Sequence, residues 1–397
     1  MERLNLLRNE MEVELLNHIM PFWSRLRDPR GGFYGYVDFD LHIDKNANKG
    51  VILNSRILWF YSNIYLITGQ KEALKLADHA FDFLIKYCID EKYGGVYWML
   101  NMDGIPCDEM KHTYNQAFAI YGLSSYYAAS KNSSALELAN QIFNIIETRC
   151  IDDCGYVEAF DRKWKPIDNE KLSEDGFHAA KTMNTLLHII EAYTELYRIS
   201  NDNHVGECLT NAVEQCLNKV YNPQTHILGV YFDKKMNSIA DVYSYGHDIE
   251  ASWLLDRACE LLDNEQLTAK IELMTLEMAD KVLQYAYKDG ALNNQSINGI
   301  VDTTRIWWVQ AESVVGFLNA YQKTKDEAYL DITVSLWKYI KTYIIDKREG
   351  SEWYWDVNDN GEPVNKRPIV EPWKCPYHNG RMCMEVMKRY EKIRTDL

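Results

Sequence analysis

Two kinds of helical segment alternate along the chain. In the first kind, apolar residues recur every three or four positions and leave one polar face, as in residues 72–89 and 264–287. The second kind is apolar or aromatic on most sides, as in SRILWFYSNIYLI, TYNQAFAIYGLSSYY, TMNTLLHIIEAYTELY, GHDIEASWLLDRAC, RIWWVQAESVVGFLNAY and NGRMCMEVMKRY. A helix that is apolar nearly all round is buried, whereas one with a single apolar face lies at the surface. The pattern therefore predicts inner and outer helices in alternation.

A degenerate glycine repeat separates these helix pairs. In each copy, glycine precedes a short aromatic or β-branched run that ends near Asp or Asn, and the six copies contain Gly32, Gly95, Gly155, Gly229, Gly290 and Gly350. Successive glycines are 63, 60, 74, 61 and 60 residues apart, a spacing too regular for unrelated loops. We therefore predict an all-α fold with a single catalytic domain over residues 1–397, an (α/α)6 barrel of six helical hairpins with short β segments at the glycine turns.

Polar residues near the starts of the inner helices should converge. Helices that point the same way around a ring all begin at one mouth, and residues three or four apart share a helical face. The residues at this position of the repeat are Arg56, Tyr114, Asn184, His188, His247, Glu250, Trp308, Glu312 and His378. The sequence therefore predicts one pocket lined by these side chains.

Composition restricts the function classes. With 47% hydrophobic and 25% charged residues, the chain is typical of folded globular proteins. The formal net charge of −15 argues against a nucleic-acid partner, because such partners need clustered Lys and Arg. No apolar run reaches the ~18 residues of a membrane span, and charges interrupt the opening MERLNLLRNEMEVELL where a signal peptide is apolar. We expect a cytoplasmic protein, a monomer, with no membrane or nucleic-acid partner.

Cysteine usage and motif content bear on cofactors. The nine cysteines are odd in number and include no C-x-x-C pair, so we expect reduced, mostly buried thiols and neither disulfides nor a zinc site. The motifs of dinucleotide, phosphate-loop, zinc-protease, EF-hand and nucleophile-elbow proteins are missing from the sequence. We therefore expect side-chain chemistry without a cofactor or metal. The 27 tyrosines and 11 tryptophans supply flat rings of the kind that stack on sugars.

Three histidines lie in segments otherwise committed to packing: His188, His247 and His378. Each alone is typical of a core histidine, and His247 is also suited to the start of its helix, yet three at equivalent repeat positions favour a shared function. With Glu250 they are alternatively an N3O metal set, although the spacing is not diagnostic. Glu250 and Glu312 are alternatively an acid/base pair for glycoside hydrolysis, which depends on a distance in space.

Arg56 and two tryptophans also have alternative interpretations. Arg56 is either a member of a structural ion pair or a donor to a developing oxyanion. Trp308 and Trp373 are either core residues or platforms for a sugar, and Trp373 lies in a proline-bounded loop. His112, just before an inner helix, is ambiguous. A site with histidines, an arginine and aromatic walls is suited to proton transfer at a carbon beside a sugar carbonyl. At neutral pH one histidine would be neutral and act as base, and the other would be charged and act as acid.

Seven segments, in this order, resemble the cellobiose 2-epimerases within the superfamily of N-acylglucosamine 2-epimerases and related aldose–ketose isomerases: GVILNSRILWF, YGGVYWM, KHTYNQAFAIYGLSSYY, KTMNTLLHIIEAYTELY, YSYGHDIEASWLLDRA, TRIWWVQAE and WKCPYHNGRMCMEV. The resemblance covers essentially the whole chain and implies an (α/α)6 barrel. It also implies reversible inversion of C2 of the reducing-end glucose in cellobiose, lactose and short β-1,4-oligosaccharides. N-acylglucosamine 2-epimerase and mannose isomerase are the alternatives on the same barrel. A glycoside hydrolase and a non-catalytic sugar-binding protein are the rivals from other classes.

The resemblance implies catalytic roles for His247, His378, His188 and Arg56, and substrate-binding roles for Tyr114, Asn184, Glu250, Trp308, Glu312 and Trp373. His247 and His378 are similar to the acid/base pair at C2, acting after ring opening and through a cis-enediolate. His188 and Arg56 are similar to groups that stabilise the enediolate, and Trp373 to a residue that holds the sugar beyond the reacting one. The loops 105–110 and 356–372 are expected to select the substrate.

Overall fold

Thirteen helices alternate with short turns along the residues that the computed structural model describes, which are 1–169, 171, 176–364 and 366–395. They are α1 (Glu2–Glu14), α2 (Met20–Ser24), α3 (Val51–Thr68), α4 (Lys71–Phe83), α5 (Thr113–Ser130), α6 (Ser133–Arg149), α7 (Met183–Ser200), α8 (Asn203–Gln215), α9 (Tyr245–Cys259), α10 (Glu265–Ala286), α11 (Trp307–Thr324), α12 (Glu327–Tyr339) and α13 (His378–Thr395).

Six of these helices form a closed inner ring. Helices α3, α5, α7, α9, α11 and α13 contact one another in that order, and α13 contacts α3. Nearly every residue in the first fourteen positions of α3 and of α5 is buried, as expected for helices that are apolar on all sides. The order of contacts confirms the (α/α)6 barrel.

The outer layer consists of α4, α6, α8, α10, α12 and the pair α1–α2. Each packs on an inner helix through one face; α4, for example, buries Ala73, Leu76, Ala77 and Ala80. Helices α1, α4, α8 and α12 each run into one π-helical turn, namely Leu15–Ile19, Leu84–Cys88, Cys216–Val220 and Ile340–Ile344. The first outer helix, α1, packs on the last inner helix, α13, so the first and last repeats meet.

Short antiparallel strands join the repeats at one end of the barrel. They are β1 (Lys49–Gly50), β2 (Met99–Leu100), β3 (Pro106–Asp108), β4 (Lys111–His112), β5 (Ile151–Asp152), β6 (Gly155–Tyr156), β7 (Ala159–Phe160), β8 (Lys181–Thr182), β9 (Tyr221–Asn222), β10 (Ile227–Leu228), β11 (Tyr231–Phe232), β12 (Val242–Ser244), β13 (Tyr287–Lys288), β14 (Ala291–Leu292), β15 (Gln295–Ile297), β16 (Ile300–Asp302), β17 (Arg305–Ile306) and β18 (Asp356–Val357).

The strand before each inner helix pairs with the next repeat. Five such pairs are β1–β2, β4–β7, β8–β11, β12–β15 and β17–β18. The sixth is a single bridge between Val370, before α13, and Val37 in the first repeat. The register is regular, with Lys49 opposite Leu100 and Arg305 opposite Val357. This pairing closes the ring of repeats at the mouth where the inner helices begin.

The glycine turns are tight hairpins after the outer helices. Five of the six repeat glycines have positive φ, a backbone region that only glycine adopts at low cost. Gly229 is the exception, and in its hairpin His226 takes the left-handed conformation with φ of 60°. A Cβ at Gly95 would lie 2.6 Å from Gln116 Oε1, the side chain that bonds Val96 on both its N–H and its C=O. The hairpins therefore touch the starts of the inner helices.

Buried lysines attach the strand before an inner helix to the hairpin of its own repeat. Their ammonium groups pair with carboxylates at 2.7 to 3.2 Å in Lys49–Asp28, Lys111–Asp90, Lys181–Asp152 and Lys374–Glu352. In the described part of the chain, no helix is long and apolar enough to cross a membrane. All nine cysteines are free thiols, and Cys107 and Cys154 are the two that are not buried.

Candidate active site

A cavity of about 210 Å³ opens at the end of the barrel where the inner helices begin. Nine of the ten candidate residues line it: Arg56, Tyr114, Asn184, His188, His247, Glu250, Trp308, Trp373 and His378. They come together because the inner helices run in the same direction and carry these residues on their first turns or on the loop before. Glu312 is the tenth candidate, and it lies behind His378 instead of on the cavity wall.

Each of the three histidines has its Nδ1 occupied. His188 Nδ1 lies 3.0 Å from Glu191 Oε2, and His378 Nδ1 lies 2.7 Å from Glu312 Oε1. A carboxylate oxygen accepts, so these Nδ1 atoms donate and leave Nε2 as an acceptor in the neutral ring. His247 Nδ1 lies 2.7 Å from the Ser244 hydroxyl. The free ring nitrogen of each histidine is thus the one available to a ligand.

Trp308 contacts both members of the expected acid/base pair. Its ring centroid lies 4.8 Å from that of His247 and 5.4 Å from that of His378. Trp307 packs edge-on against His378 at 5.4 Å. The two histidines are therefore held against one indole, within reach of a single sugar ring.

A buried arginine connects the groups behind the histidines. The Arg381 guanidinium donates to Glu191, Glu250, Glu312 and the Tyr377 hydroxyl. Burial alone would raise the pKa of Glu191, but Arg381 and His188 lower that pKa to about 2. Burial and the neighbouring Glu312 raise the pKa of Glu250 to about 7 despite Arg381.

The same network bears on the metal alternative. Ligand atoms of Glu250, Glu312 and His378 lie within 4.8 Å of one another, close enough to hold an ion. However, the guanidinium of Arg381 already bonds both carboxylates. His188 and His247 do not belong to this group. The positive charge that the two carboxylates need is therefore supplied by a side chain.

Burial changes the expected protonation of the histidine pair. It lowers the pKa of His247 to about 3, and burial together with Arg381 and Arg56 lowers the pKa of His378 well below its usual range. The sequence suggests one neutral and one charged histidine at neutral pH. These pKa shifts instead favour two neutral histidines, because a buried imidazolium loses its hydration.

Arg56 is placed as a donor. It bonds the Tyr114 hydroxyl at 2.8 Å and the Trp373 carbonyl at 3.2 Å, and its guanidinium lies over the rings of Phe118 and Tyr377 at 4.1 and 4.6 Å. Among the described residues it makes no ion pair with a carboxylate. Its buried Nε has no partner there either, which favours the oxyanion-donor interpretation over the structural ion pair.

Other polar atoms of the wall also lack partners among the described residues. They are Asn184 Oδ1, Glu250 Oε2, Trp307 Nε1 and Trp355 Nε1. Buried polar groups normally have hydrogen bonds, so these atoms suit the hydroxyl groups of a bound sugar. Sequence reasoning missed Trp307 and Trp355, although Trp355 lies in the Gly350 repeat and Trp307 begins an inner helix. It also missed Arg381, which no spacing rule singles out.

The ambiguous His112 lies outside the cavity wall. Its Nδ1 accepts from the Tyr114 N–H, and its Nε2 lies 3.2 Å from Asn169 Oδ1. Complete burial lowers its pKa to about 4, so the ring is neutral near pH 7. His112 therefore holds Tyr114 and the segment around Asn169 in place.

Both loops expected to select the substrate lie near the cavity. Asp108, in the 105–110 loop, pairs at 3.0 Å with Lys171, which lines the wall. The 356–372 loop runs between two wall residues, Trp355 and Trp373, and its residue 365 lies outside the described part of the chain. Their placement fits a role at the entrance, and that role stays a prediction.

Comparison with known proteins places the chain in a family. The family model for N-acylglucosamine 2-epimerase (GlcNAc 2-epimerase) matches residues 32–379. The cellobiose 2-epimerase of Ruminococcus albus is 54% identical over 382 residues, which are 96% of this chain and 98% of that protein. The solved cellobiose 2-epimerase of Bacillus thermoamylovorans B4167 superposes with a TM-score of 0.94 at 46% identity, covering 97% of this chain and all of that one.

A more distant relative is the D-mannose isomerase of Marinomonas mediterranea, 24% identical over 91% of this chain and 92% of its own length. The chain is thus 54% identical to this cellobiose 2-epimerase but only 24% identical to this D-mannose isomerase. This protein therefore belongs to the N-acylglucosamine 2-epimerase family of isomerases and, within it, to the cellobiose 2-epimerases.

Proposed function

We propose that this protein inverts C2 of the reducing-end glucose in cellobiose, and likewise in lactose and short β-1,4-oligosaccharides. Cellobiose would become glucosyl-mannose, and lactose would become epilactose. The observation that carries the proposal is the placement of His247 and His378 against Trp308 in one cavity, each with its Nδ1 engaged elsewhere. Two such histidines supply a base and an acid at one carbon atom.

Substrate binding relies on aromatic rings and unpartnered polar atoms. Trp308 offers its face beside both histidines, and Trp373 at the mouth offers a second surface for the next sugar. The free Asn184 Oδ1 and the indole N–H of Trp355 suit sugar hydroxyls. The sugar ring has to open first, because only the open chain has a carbonyl at C1 that acidifies the proton on C2.

Proton transfer then uses the two histidines in turn. One neutral histidine takes the C2 proton and becomes charged, while the electrons form an enediolate. Burial by itself disfavours a charged partner histidine, but the negative enediolate favours it. The partner, protonated from solvent, returns that proton to the opposite face of C2, and the first histidine releases the C2 proton to solvent. Since the reaction is reversible, each histidine is the base in one direction.

Arg56 and His188 are proposed to stabilise the enediolate oxygens. The charge of Arg56 has no carboxylate partner among the described residues, and its Nε is an unused donor. A fixed donor in a buried site acts strongly on developing charge, because it needs no reorganisation. His188 is held by Glu191 at 3.0 Å, so its orientation is fixed before substrate arrives.

The proposal needs no cofactor, since every step uses side chains. The test is NMR of EDTA-treated protein with cellobiose in deuterated water. We expect a mannose-configured reducing end with deuterium at C2. Loss of activity on EDTA treatment with recovery on adding a divalent ion would contradict the side-chain mechanism and support the cluster of Glu250, Glu312 and His378 as a metal site.

Parallel incubations with N-acetylglucosamine and mannose test the alternatives on the same barrel. Turnover of either one with unchanged cellobiose would assign a sister activity. Release of monosaccharide would indicate a hydrolase, for which Glu250 and Glu312 would have to flank the scissile bond. Their shared contact with one Arg381 nitrogen argues against that arrangement. If no sugar reacts, a non-catalytic binding role remains.

His378→Ala tests the acid/base assignment. We expect turnover to be abolished while binding of cellobiose, followed by Trp fluorescence, persists, because the tryptophan surfaces and Arg56 remain. Turnover at the wild-type rate would show that His378 does not belong to the pair.

We also propose that the protein acts as a monomer. One chain supplies nine of the ten predicted site residues to the cavity wall, which supports a single chain as the catalytic unit. Light scattering should give 46.4 kDa, with a specific activity that does not change on dilution. A larger mass with activity lost on dilution would contradict this.

A cytoplasmic location is the last part of the proposal. Seven buried free thiols support it, because a reducing compartment preserves them. Cell fractionation of the source organism provides the test.

A further inference from the structure

A second cavity, which we call the closed-end cavity, lies at the other end of the barrel. Its volume is about 470 Å³, and the last turns of α3, α7, α9 and α13 line it. Its described wall shares no residue with that of the active-site cavity, and Glu385, its wall residue nearest to His378 along α13, is about 10.5 Å away at 1.5 Å per helical residue. The closed-end cavity is therefore separate from the active site.

Cations outnumber carboxylates on the described wall of this cavity. Five cationic side chains face three carboxylates, although the whole chain carries a net charge of −15. Glu195 is shared by Arg198 at 2.6 Å and Arg257 at 3.4 Å. Glu385 lies 3.0 Å from both Arg257 and Lys388. Two positive charges thus have no counterpart within the cavity.

Arg389 adds an unsatisfied donor. Its side chain is more than nine-tenths buried, and one terminal nitrogen donates to Asn319 and Gln322. Its Nε has no hydrogen-bond acceptor among the described residues, and Glu385 is 3.9 Å away. A buried N–H without an acceptor is costly, so this arrangement suits an acceptor that enters from the cavity.

Helix ends explain only part of this arrangement. The inner helices finish here, and their last carbonyl groups favour nearby cations. That effect accounts for Arg198 and Arg257 near the ends of α7 and α9. It does not account for the cavity itself or for the unsatisfied Nε of Arg389.

We propose that the closed-end cavity binds a small oxyanion of the phosphate type. A dianion would balance the two excess positive charges, and its oxygens would accept from Arg389 Nε, Arg198 and Lys388, the charge-assisted contacts that phosphate prefers. Free phosphate and the phosphoryl group of a metabolite share this chemistry.

Isothermal titration calorimetry at constant ionic strength tests the proposal. The probes are inorganic phosphate and glycerol 3-phosphate, and the tighter binder identifies the source of the oxyanion. We expect saturable one-site binding, weakened by about tenfold or more in Lys388→Gln combined with Arg198→Gln. Both side chains are about one-third exposed, so the variant should fold.

A matched control removes two cations elsewhere. Lys75→Gln with Lys338→Gln makes the same charge change on exposed sites of α4 and α12 and should bind phosphate like the wild type. Epimerase activity should be unchanged in both double variants. If the first variant does not fold, Lys388→Gln alone replaces it, because Arg257 still pairs with Glu385. No saturable binding, or equal weakening in both double variants, would overturn the site and leave the cations as neutralisers of the helix ends.

Discussion

Glu312 lies at the expected repeat position but not on the described wall of the cavity. The sequence groups it with the sugar-binding residues, but it accepts from His378 Nδ1 at 2.7 Å and from Trp253 Nε1 at 3.0 Å. With both carboxylate oxygens engaged by donors, Glu312 fixes the orientation and tautomer of His378. We regard it as a positioning residue.

Glu312→Gln should therefore lower kcat more than it changes KM. The amide has one acceptor oxygen, so either His378 or Trp253 loses its acceptor. We expect kcat to fall about 10- to 100-fold, the effect typical of groups that orient a functional histidine. Steady-state kinetics with cellobiose measure both constants, and the exposed Glu72→Gln is the control. A rise in KM at constant kcat would restore the substrate-binding role.

The pH profile depends on the buried histidine pair. Burial lowers the pKa of His247 to about 3 and that of His378 well below its usual range. A base has to be neutral to take a proton, so both histidines stay competent in the free enzyme below the ordinary value of about 6.5. The acid limb of kcat/KM, measured from about pH 4 to about pH 9, should therefore lie below about pH 6.5.

The free energy of unfolding should also fall at acid pH, for the same reason. Because the folded-state pKa values are lowered, the unfolded chain binds protons first as pH falls below about 6.5, and the free energy of unfolding decreases from there. An acid limb at or above about pH 6.5 would mean that Glu312 keeps His378 charged.

The candidate histidines could be found from the sequence because the repeat gives each residue a position around the ring. The partners of those histidines could not. Glu191 and Ser244 are three residues from His188 and His247, a spacing shared by many pairs that make no such contact. Arg381 acts through contacts between different helices, which leave no spacing signal. Only the distances between the side chains reveal these roles.

At the scale of elements, the glycine hairpins position the inner helices. Gly95 has φ of +71°, and its hairpin is held by Gln116 of α5. Gly69, at the end of α3, has nearly the same φ of +70°, but no atom lies within 4 Å of the position that a Cβ would take there. The two glycines thus share a backbone conformation and differ in surroundings.

Gly95→Ala should cost more stability than Gly69→Ala. Both variants place alanine in the left-handed region, at about 1 to 2 kcal/mol. At Gly95 the new Cβ would also lie 2.6 Å from Gln116 and 2.7 Å from Trp164, adding about 1 to 3 kcal/mol. Urea unfolding of both variants measures the difference. Equal free energies of unfolding would mean that the hairpin moves away freely and does not hold α5.

Helices were predictable because their periodicity extends over four or more turns. The glycine turns also predicted short β segments, and β2, β7, β11 and β18 lie in them. The pairing of these strands across repeats was not predictable, because two or three residues are too few to set a register. Their partners also lie about one repeat away, as with Lys49 and Leu100. The π-helical turns likewise leave no pattern that differs from an ordinary helix end.

At the scale of the whole molecule, six copies of one hairpin predict a ring, and the contacts between its ends close it. Helix α1 packs on α13, with the Tyr390 hydroxyl 3.1 Å from Asn5 Oδ1. The bridge between Val37 and Val370 closes the mouth in the same way as the five strand pairs. The position of the chain ends is therefore incidental to the ring.

A circular permutant should fold and remain active. In it, a flexible linker joins residue 397 to residue 1, and new ends lie between Asn201 and Asp202, which are exposed and connect α7 to α8 far from the mouth. We expect native-like circular dichroism and epimerase activity within about tenfold of the wild type, because exposed turns tolerate new ends. A control permutant opened between Gly94 and Gly95 should lose the native-like circular dichroism and the epimerase activity. That cut breaks the hairpin that Gln116 holds through Val96. Failure of the first permutant alongside a folded control would show that α7 and α8 must be joined, and that the repeats of this ring are not equivalent.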